Sequence, residues 1–226
     1  MIITRHTLKL SGTVHPALLN ALAPSLLFRQ LIRGCFAALI IFEIGNLLHI
    51  FHNDLSYTWL GLAITTTAVV TAIEVFNHHL STFHQRELPW QVWMYALAAL
   101  TVDVAGDITH WYTIYPWYDT LAHFIGGAMA TLVIWHILSA YFHSIQLRLP
   151  LVIHFGFAYA ITLALGCLYE IEEFLEDVFT GSQRSGGNAD TAIDLSMNTL
   201  GASLAITIIW YFLLRRKTAP TPALPS

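Results

Sequence analysis

Charged residues are scarce in this sequence, and the basic ones are the fewest. Only 11% of the 226 residues are charged, with 10 Lys and Arg against 14 Asp and Glu, whereas 56% are hydrophobic. So little charge, with a mean hydropathy of +0.60, excludes an ordinary soluble domain and a disordered chain. A net charge of -4 leaves no basic surface for nucleic acid. We therefore predict a membrane protein that does not bind nucleic acid.

Cysteine is also nearly absent, since the chain contains only Cys35 and Cys167. The two fall at different depths of the predicted bilayer, and a disulfide requires Cα atoms within about 7 Å of each other. We predict no disulfide and interpret both residues as small core side chains.

Long apolar runs are abundant instead. A helix needs about 20 apolar residues to cross a bilayer, and such runs lie near 30–51, 57–79, 90–112, 119–142, 150–176 and 191–214. We predict an all-α, polytopic membrane helix bundle with about six transmembrane helices. Its expected parts are a cytoplasmic or interfacial N-terminal segment, the transmembrane domain and a disordered tail, at 1–29, 30–217 and 218–226.

The basic residues predict the orientation. With six spans, nine of the 10 Lys and Arg fall on one side, and Arg184 falls on the other. Basic residues favour the cytoplasmic side of a membrane. Both termini are therefore expected in the cytoplasm.

Acidic residues gather at the opposite, extracytoplasmic end. An ionised side chain at the centre of a membrane helix costs about 2.5 kcal/mol or more, so such residues usually mark a functional site. The sequence places eleven of its 14 acids there, together with His49, His52, His110 and His123. The acids are Asp54, Asp103, Asp107, Asp119, Glu170, Glu172, Glu173, Glu176, Asp177, Asp190 and Asp194.

Helical spacing predicts which of these groups meet. Asp119 and His123 are four residues apart and share a face of the fourth span. Asp190, Asp194 and Asn198 repeat that spacing on the sixth span, and Gly201-Ala202 below them would admit a neighbouring helix. Asp119 and Asp190 also begin helices, where ordinary capping explains a carboxylate equally well.

The fifth span carries the densest negative charge. Glu170, Glu173 and Asp177 share one face, while Glu172 and Glu176 are expected to be off to the side and wetter. Like charges at a helix C-terminus repel one another, so a cation should be present. Arg184, a histidine or a divalent ion could supply it, and shared protons are the alternative.

The third span repeats the pattern with Asp103, Asp107 and His110, and the first span can add Asn46 and His49. Histidines toward the other end, including His136 and His154, are interpreted as packing residues. Glu43 and Glu74 are left unassigned, each expected to pair with a nearby histidine or hydroxyl.

Three strings resemble a known family. They are YPWYDTLAHFIGG (115–127), LYEIEEF (168–174) and DTAIDLSMNTLGA (190–202). Together they are similar to the YjdF-like family of bacterial inner-membrane proteins, which is distantly akin to VanZ-like proteins. The resemblance implies a multi-pass protein of the bacterial inner membrane and no established reaction. Its motifs match this chain at Asp119, His123, Glu170, Glu173, Asp190 and Asp194.

The leading hypothesis is a membrane-embedded, metal-dependent enzyme that acts on a membrane lipid or a lipid-linked headgroup. Asp119, His123, Glu170 and Asp194 would bind one or two ions of Mg, Mn, Fe or Zn, with Glu173 and Asp190 as catalytic residues. The remaining candidates are Asp103, Asp107, His110, Asp177 and Asn198.

Two other classes stay open. One is a cation- or proton-coupled transporter or channel, with a path from Asp107 through Asp103 to Glu43 and Glu74. The other is a structural membrane protein in which the polar network only fixes helix packing. The sequence does not specify the oligomeric state.

Overall fold

The structure is a computed structural model that describes residues 26–218, with side chains described from 28 to 215. Within these residues every regular element is an α-helix, which confirms the all-α prediction. The helices are α1 (Leu26–Leu47), α2 (Trp59–His84), α3 (Gln91–Ile108), α4 (Trp111–Ile114), α5 (Tyr118–Ser144), α6 (Leu151–Thr180) and α7 (Asn188–Thr218). The predictions for segment 1–25 and for the tail 219–226 lie outside the described residues.

Five helices are long and apolar enough to cross a membrane. These are the segments Phe28–Leu47, Trp59–His84, Tyr118–Ser144, Leu151–Thr180 and Asn188–Arg215, which belong to α1, α2, α5, α6 and α7. Helix α3, which holds Asp103 and Asp107, is not one of them. The chain is therefore a multi-pass membrane protein by helix length and composition, with five such spans among the described residues.

Large apolar side chains cover much of the surface of these helices. Val152 is 74% exposed and Phe179 is 79% exposed, as expected where lipid replaces water as the solvent. Both cysteines are unpaired, which agrees with the predicted absence of a disulfide, but both are exposed. Their prediction as core residues is wrong because, on a helix bundle in lipid, small apolar residues can also face outward.

The buried apolar core lies at one end of the bundle, between α1, α2 and α3. It contains Ile32, Phe36, Ile73, Leu80, Leu88, Val92, Trp93, Ala96 and Leu100. The other end of the bundle, where α3 ends and α5 begins, contains most of the buried charge. The apolar core and most of the buried charged groups therefore lie at opposite ends of the bundle.

Helices α5 and α7 pack closely because each has a glycine at their interface that faces the backbone of the other helix. A Cβ atom on Gly201 would lie 2.9 Å from the backbone nitrogen of Ala128, and one on Gly127 would lie 2.7 Å from the Cα atom of Asn198. The close approach predicted at Gly201-Ala202 is confirmed, and it brings the polar stripe of α7 against α5.

Helix α3 ends earlier than the sequence predicts. The span was expected to reach residue 112, but α3 stops at Ile108, and His110 takes a left-handed conformation with φ 59° before α4 begins. Asp103, Asp107 and His110 therefore do not share one helical face, because the chain turns between Asp107 and His110.

Candidate metal centre

His123 lies at the centre of a group of carboxylates from three helices. It is 6% exposed on α5, one turn after Asp119 on the same helix. Its Nε2 atom is 3.5 Å from Oδ1 of Asp119 and 3.9 Å from Oδ1 of Asp194 on α7. Its Nδ1 atom is 3.7 Å from Oε1 of Glu170 on α6. We call these four residues the His123 pocket.

The spacing of these atoms suits a metal ion. One ligand atom from each of Asp119, His123 and Asp194 lies within 4.8 Å of the others, and the same is true of His123, Glu170 and Glu173. Ligands about 2.1 Å from a tetrahedral ion are about 3.4 Å apart, close to the separations seen here. The helices thus already hold the side chains near a coordinating arrangement.

Asp194 in the pocket has a buried oxygen that makes no hydrogen bond. Its Oδ1 atom has no hydrogen-bond partner although the residue is only 2% exposed, whereas Glu170 has a hydrogen-bond partner in Thr191. A buried polar atom without a partner costs about 1–3 kcal/mol, and more if it is charged. A cation between Asp119, Asp194 and Nε2 of His123 would satisfy this atom.

Asn198 contacts the other nitrogen of His123. Its Nδ2 atom is 3.2 Å from Nδ1 of His123, and both residues are buried. With its amide turned by 180°, Asn198 would present Oδ1 and accept a hydrogen bond from Nδ1-H, leaving Nε2 free for a metal. Asn198, one of the remaining candidates from the sequence, therefore lies beside the His123 pocket.

A second polar group surrounds Arg184, which is 4% exposed in the segment between α6 and α7. Its Nη2 atom is 3.1 Å from Oδ1 of Asp103, and its Nε atom is 3.0 Å from Oε1 of Glu173. Its Nη1 atom is 3.7 Å from Asp107 and 3.6 Å from Glu176. We call these five residues the Arg184 pocket. The cation that the sequence predicts beside the acids of the fifth span is therefore supplied by Arg184.

The surroundings of Arg184 keep it charged. Burial alone would lower the pKa of Arg184, but the Tyr169 hydroxyl and the carboxylates of Asp103 and Glu173 raise it above its ordinary value. Tyr169 also accepts a hydrogen bond from Nη2 of Arg184 and donates one to Asp103 over 3.1 Å. Arg184 is therefore a permanent positive charge inside the centre.

Glu173 joins the two pockets, because one of its oxygens approaches His123 and Oε1 accepts from Arg184. Glu173 therefore lies at the junction of the two pockets. The sequence placed Glu173 on the correct face of the fifth span.

Several predicted candidates lie outside both pockets. Asp177 accepts hydrogen bonds from Ser182, Ser185 and the backbone nitrogen of Arg184, so it fixes the segment after α6. Asp190 is half-buried in the first turn of α7. His110 is half-buried at the start of α4 and forms no ion pair with the acids among the described residues. Three further candidates are exposed, namely His49, His52 and Asp54.

Glu176 corrects another expectation. The sequence predicts a wetter position, yet Glu176 is 5% exposed and accepts a hydrogen bond from Thr58. The reason lies at the start of α2, where Gly61 has no side chain. The carboxylate of Glu176 occupies the space that a Cβ atom would fill. A single-helix pattern cannot show this contact, since the neighbouring helix creates it.

Glu43 and Glu74 both have partners of their own. Glu43 is fully buried and accepts a hydrogen bond of 2.8 Å from Thr66, the hydroxyl alternative raised by the sequence. Glu74 accepts two hydrogen bonds of 2.8 Å from Arg33 and one of 2.9 Å from Trp93. Asn46 donates to the backbone oxygen of Phe42 and lies outside both pockets.

Two histidines expected to be packing residues do stack on aromatic rings. The ring centroid of His154 is 4.0 Å from that of Trp135, and that of His136 is 5.8 Å from that of Tyr95. Both are suitable controls for His123.

A cleft of about 530 Å³ opens beside the Arg184 pocket, at the same end of the bundle. Most hydroxyls in its wall donate inward, as Ser56 does to the Asp107 carbonyl and Thr180 to the Glu176 carbonyl. A hydroxyl has one proton and two lone pairs, so these groups present acceptors to the cleft. Its wall consists of Ser56, Tyr57, Thr58, Thr113, Thr180, Gly181, Ser182 and Gln183.

Comparison with known proteins identifies the family. No curated protein and no solved structure matches the chain. A family model matches residues 30–216, which span all the helices that form both pockets. The chain belongs to the DUF2238 family, described as predicted membrane proteins.

Proposed function

We propose that this protein is a membrane-embedded enzyme that binds a divalent metal ion in the His123 pocket and acts on a lipid or lipid-linked headgroup. The observation that carries the proposal is the buried, unbonded Oδ1 atom of Asp194, which lies with Asp119 on the Nε2 side of His123. Hydrogen-bonded packing networks leave few such atoms, because each one is costly.

The donor set limits the metal. One imidazole nitrogen with several carboxylate oxygens suits Mn, Fe or Zn, and also Mg where water completes the shell. A bound ion of this kind lowers the pKa of water or polarises a phosphoryl or carbonyl oxygen. Asp119 and Asp194 would bind the ion with Nε2 of His123, while Asn198 and Glu170 lie on the Nδ1 side and would hold the imidazole.

Glu173 and Asp190 are the candidates for proton transfer. Glu173 lies beside His123 and accepts a hydrogen bond from Arg184 through Oε1, so its carboxylate connects the two pockets. Asp190 is half-buried in the first turn of α7, one turn before Asp194, and would contact a substrate that enters from the end of the bundle. A general base must reach its proton within hydrogen-bond distance, so the substrate would have to lie next to one of these two carboxylates.

A headgroup would enter from the extracytoplasmic end. The acceptor-lined cleft favours a ligand that donates hydrogen bonds, such as an ammonium or hydroxyl headgroup. We further propose that α3 crosses the bilayer as a sixth span, that both termini are cytoplasmic, and that the protein resides in the bacterial inner membrane. The basic-residue distribution and the resemblance to YjdF-like proteins support these points.

The transporter hypothesis finds less support. Its path ends at Glu74, whose carboxylate is held by two hydrogen bonds from Arg33 and one from Trp93. A carboxylate already paired with a fixed arginine has no free oxygen to pass a transported cation onward.

Turnover in vesicles tests the proposal. Purified protein in phosphatidylethanolamine and phosphatidylglycerol vesicles should convert a headgroup, detected by mass spectrometry, when Mn²⁺ or Zn²⁺ is present. EDTA, Glu173→Gln and Asp190→Asn should abolish or strongly reduce conversion, while His136→Ala should not. Conversion that is insensitive to EDTA and to all pocket variants would contradict a metal-dependent reaction there. Lost thermal stability without lost metal or conversion would favour the structural hypothesis.

A further inference from the structure

The Arg184 pocket has the charge of a second cation site. We propose that Arg184 fills a second cation position next to the His123 pocket and thereby limits the centre to a single metal ion. Without the guanidinium group, Asp103, Asp107, Glu173 and Glu176 would bind a hydrated divalent ion. The limit of one metal ion per chain rests on the proposed function, whereas the second cation site is argued from its own geometry.

The first support is an imbalance of groups. Four carboxylates face one guanidinium group, and every one of these residues is at most half-exposed. Four clustered carboxylates in a medium of low dielectric constant must either share protons or gain more positive charge than one guanidinium group supplies. A divalent ion in the same place would supply more charge than Arg184 does.

The second support is a set of unbonded buried atoms aimed at one point. Oδ2 of Asp107, Oε2 of Glu176 and Nη1 of Arg184 make no hydrogen bond, although these residues are 0%, 5% and 4% exposed. The two oxygens lie 3.7 Å and 3.6 Å from Nη1. These distances are too long for direct hydrogen bonds, so Asp107 and Glu176 do not bond to the guanidinium group, whereas Asp103 and Glu173 do.

The shape of the pocket determines the kind of ion. The carboxylates enclose a guanidinium group, which is larger than a bare metal ion. All the ligand atoms that they offer are oxygens. Mg²⁺ prefers oxygen ligands and usually retains several waters, and Mn²⁺ shares this preference for oxygen. The Arg184 pocket would therefore take a hydrated ion of this class, in contrast to the His123 pocket with its imidazole nitrogen.

Arg184 holds its position because its own segment is fixed. Asp177 accepts hydrogen bonds from the backbone nitrogen of Arg184 over 2.8 Å and from the backbone nitrogen of Ser185 over 3.0 Å. A covalently attached cation loses little further entropy in the pocket, so a free ion competes poorly with it.

Mn²⁺ stoichiometry tests this inference. Detergent-purified protein is equilibrated with excess Mn²⁺, desalted and measured by elemental analysis. We expect about one ion per chain in the wild type and in Arg184→Lys, and about two in Arg184→Gln. In Arg184→Gln with Asp107→Asn and Glu176→Gln the content should return toward one, because two of the four ligands to the second ion are lost.

A charge-matched variant covers the case in which Arg184→Gln does not fold. Arg184→Gln with Asp103→Asn keeps the net charge of the pocket and retains Asp107, Glu173 and Glu176. It should bind one more Mn²⁺ ion than the wild type. Equal content in this variant and the wild type overturns the inference. No ion in the wild type but one in the variant supports the second site and contradicts the His123 metal site.

Discussion

The Nε atom of Arg184 lies 3.0 Å from Oε1 of Glu173, and this contact links the two polar pockets of the protein. Glu173 is also one of the groups around His123. A change at Glu173 should therefore be felt in both pockets. Its neighbour Glu172, half-buried on the same helix, offers a comparison.

Glu173→Gln should lower both metal affinity and stability. A negative charge is lost beside the proposed ion, and Arg184 loses a charge-assisted hydrogen bond worth about 1.5–3 kcal/mol. Mn²⁺ titration and thermal denaturation in detergent measure the two effects. Glu172→Gln should change the affinity far less. Equal effects of the two variants on Mn²⁺ affinity would be evidence against a shared role for Glu173.

Gly201→Ala should destabilise the bundle. The added methyl group would meet the backbone of α5 near Ala128, which cannot move aside as a side chain can. Overpacking of this kind costs about 1–3 kcal/mol. Thermal denaturation measures the loss, and Gly126→Ala is the matched control because nothing lies within 4 Å of its Cβ position. A Gly201→Ala protein as stable as Gly126→Ala would show that α5 and α7 are farther apart.

Thr66→Val should destabilise the protein by leaving Glu43 without its hydrogen bond. Both residues are at most 1% exposed, and the lost bond is 2.8 Å long. A buried group deprived of its partner costs about 1–3 kcal/mol. Thr67→Val makes the same change on the exposed side of α2 and should be nearly neutral. Identical denaturation of the two variants would argue against the Thr66–Glu43 contact.

Glu74→Gln separates the enzyme from the transporter. Glu74 is bound by Arg33 and Trp93 at the opposite end of the bundle from both pockets. We expect unchanged Mn²⁺ binding and unchanged headgroup conversion. A proton or cation flux in proteoliposomes that disappears with Glu74→Gln would support the transporter hypothesis instead.

Patterns within single helices predicted much of the His123 pocket. The four-residue spacing of Asp119 and His123 placed both at one site, and the stripe of Asp194 and Asn198 faced into the bundle as expected. These predictions needed only the helical period and the cost of charge in lipid. Hydropathy located the long helices because a membrane-spanning helix needs a long apolar run.

Contacts between distant segments could not be predicted in this way. The spacing of Asp103, Asp107 and His110 suggested one face, but the left-handed turn at His110 ends α3 before that residue. Glu176 was expected to be wet because its burial depends on α2 and Thr58. The charge of Arg184 was predicted, but its insertion among acids of α3 and α6 depends on three-dimensional packing.

Pulsed EPR of bound Mn²⁺ tests the central claim most directly, because it detects nitrogen from a histidine ligand. We expect a histidine nitrogen coupling in the wild type and in His154→Gln, whose native ring packs against Trp135 and Phe142. The coupling should vanish in His123→Gln. A protein that binds no Mn²⁺, or a coupling that persists in His123→Gln, would contradict a metal centre at His123.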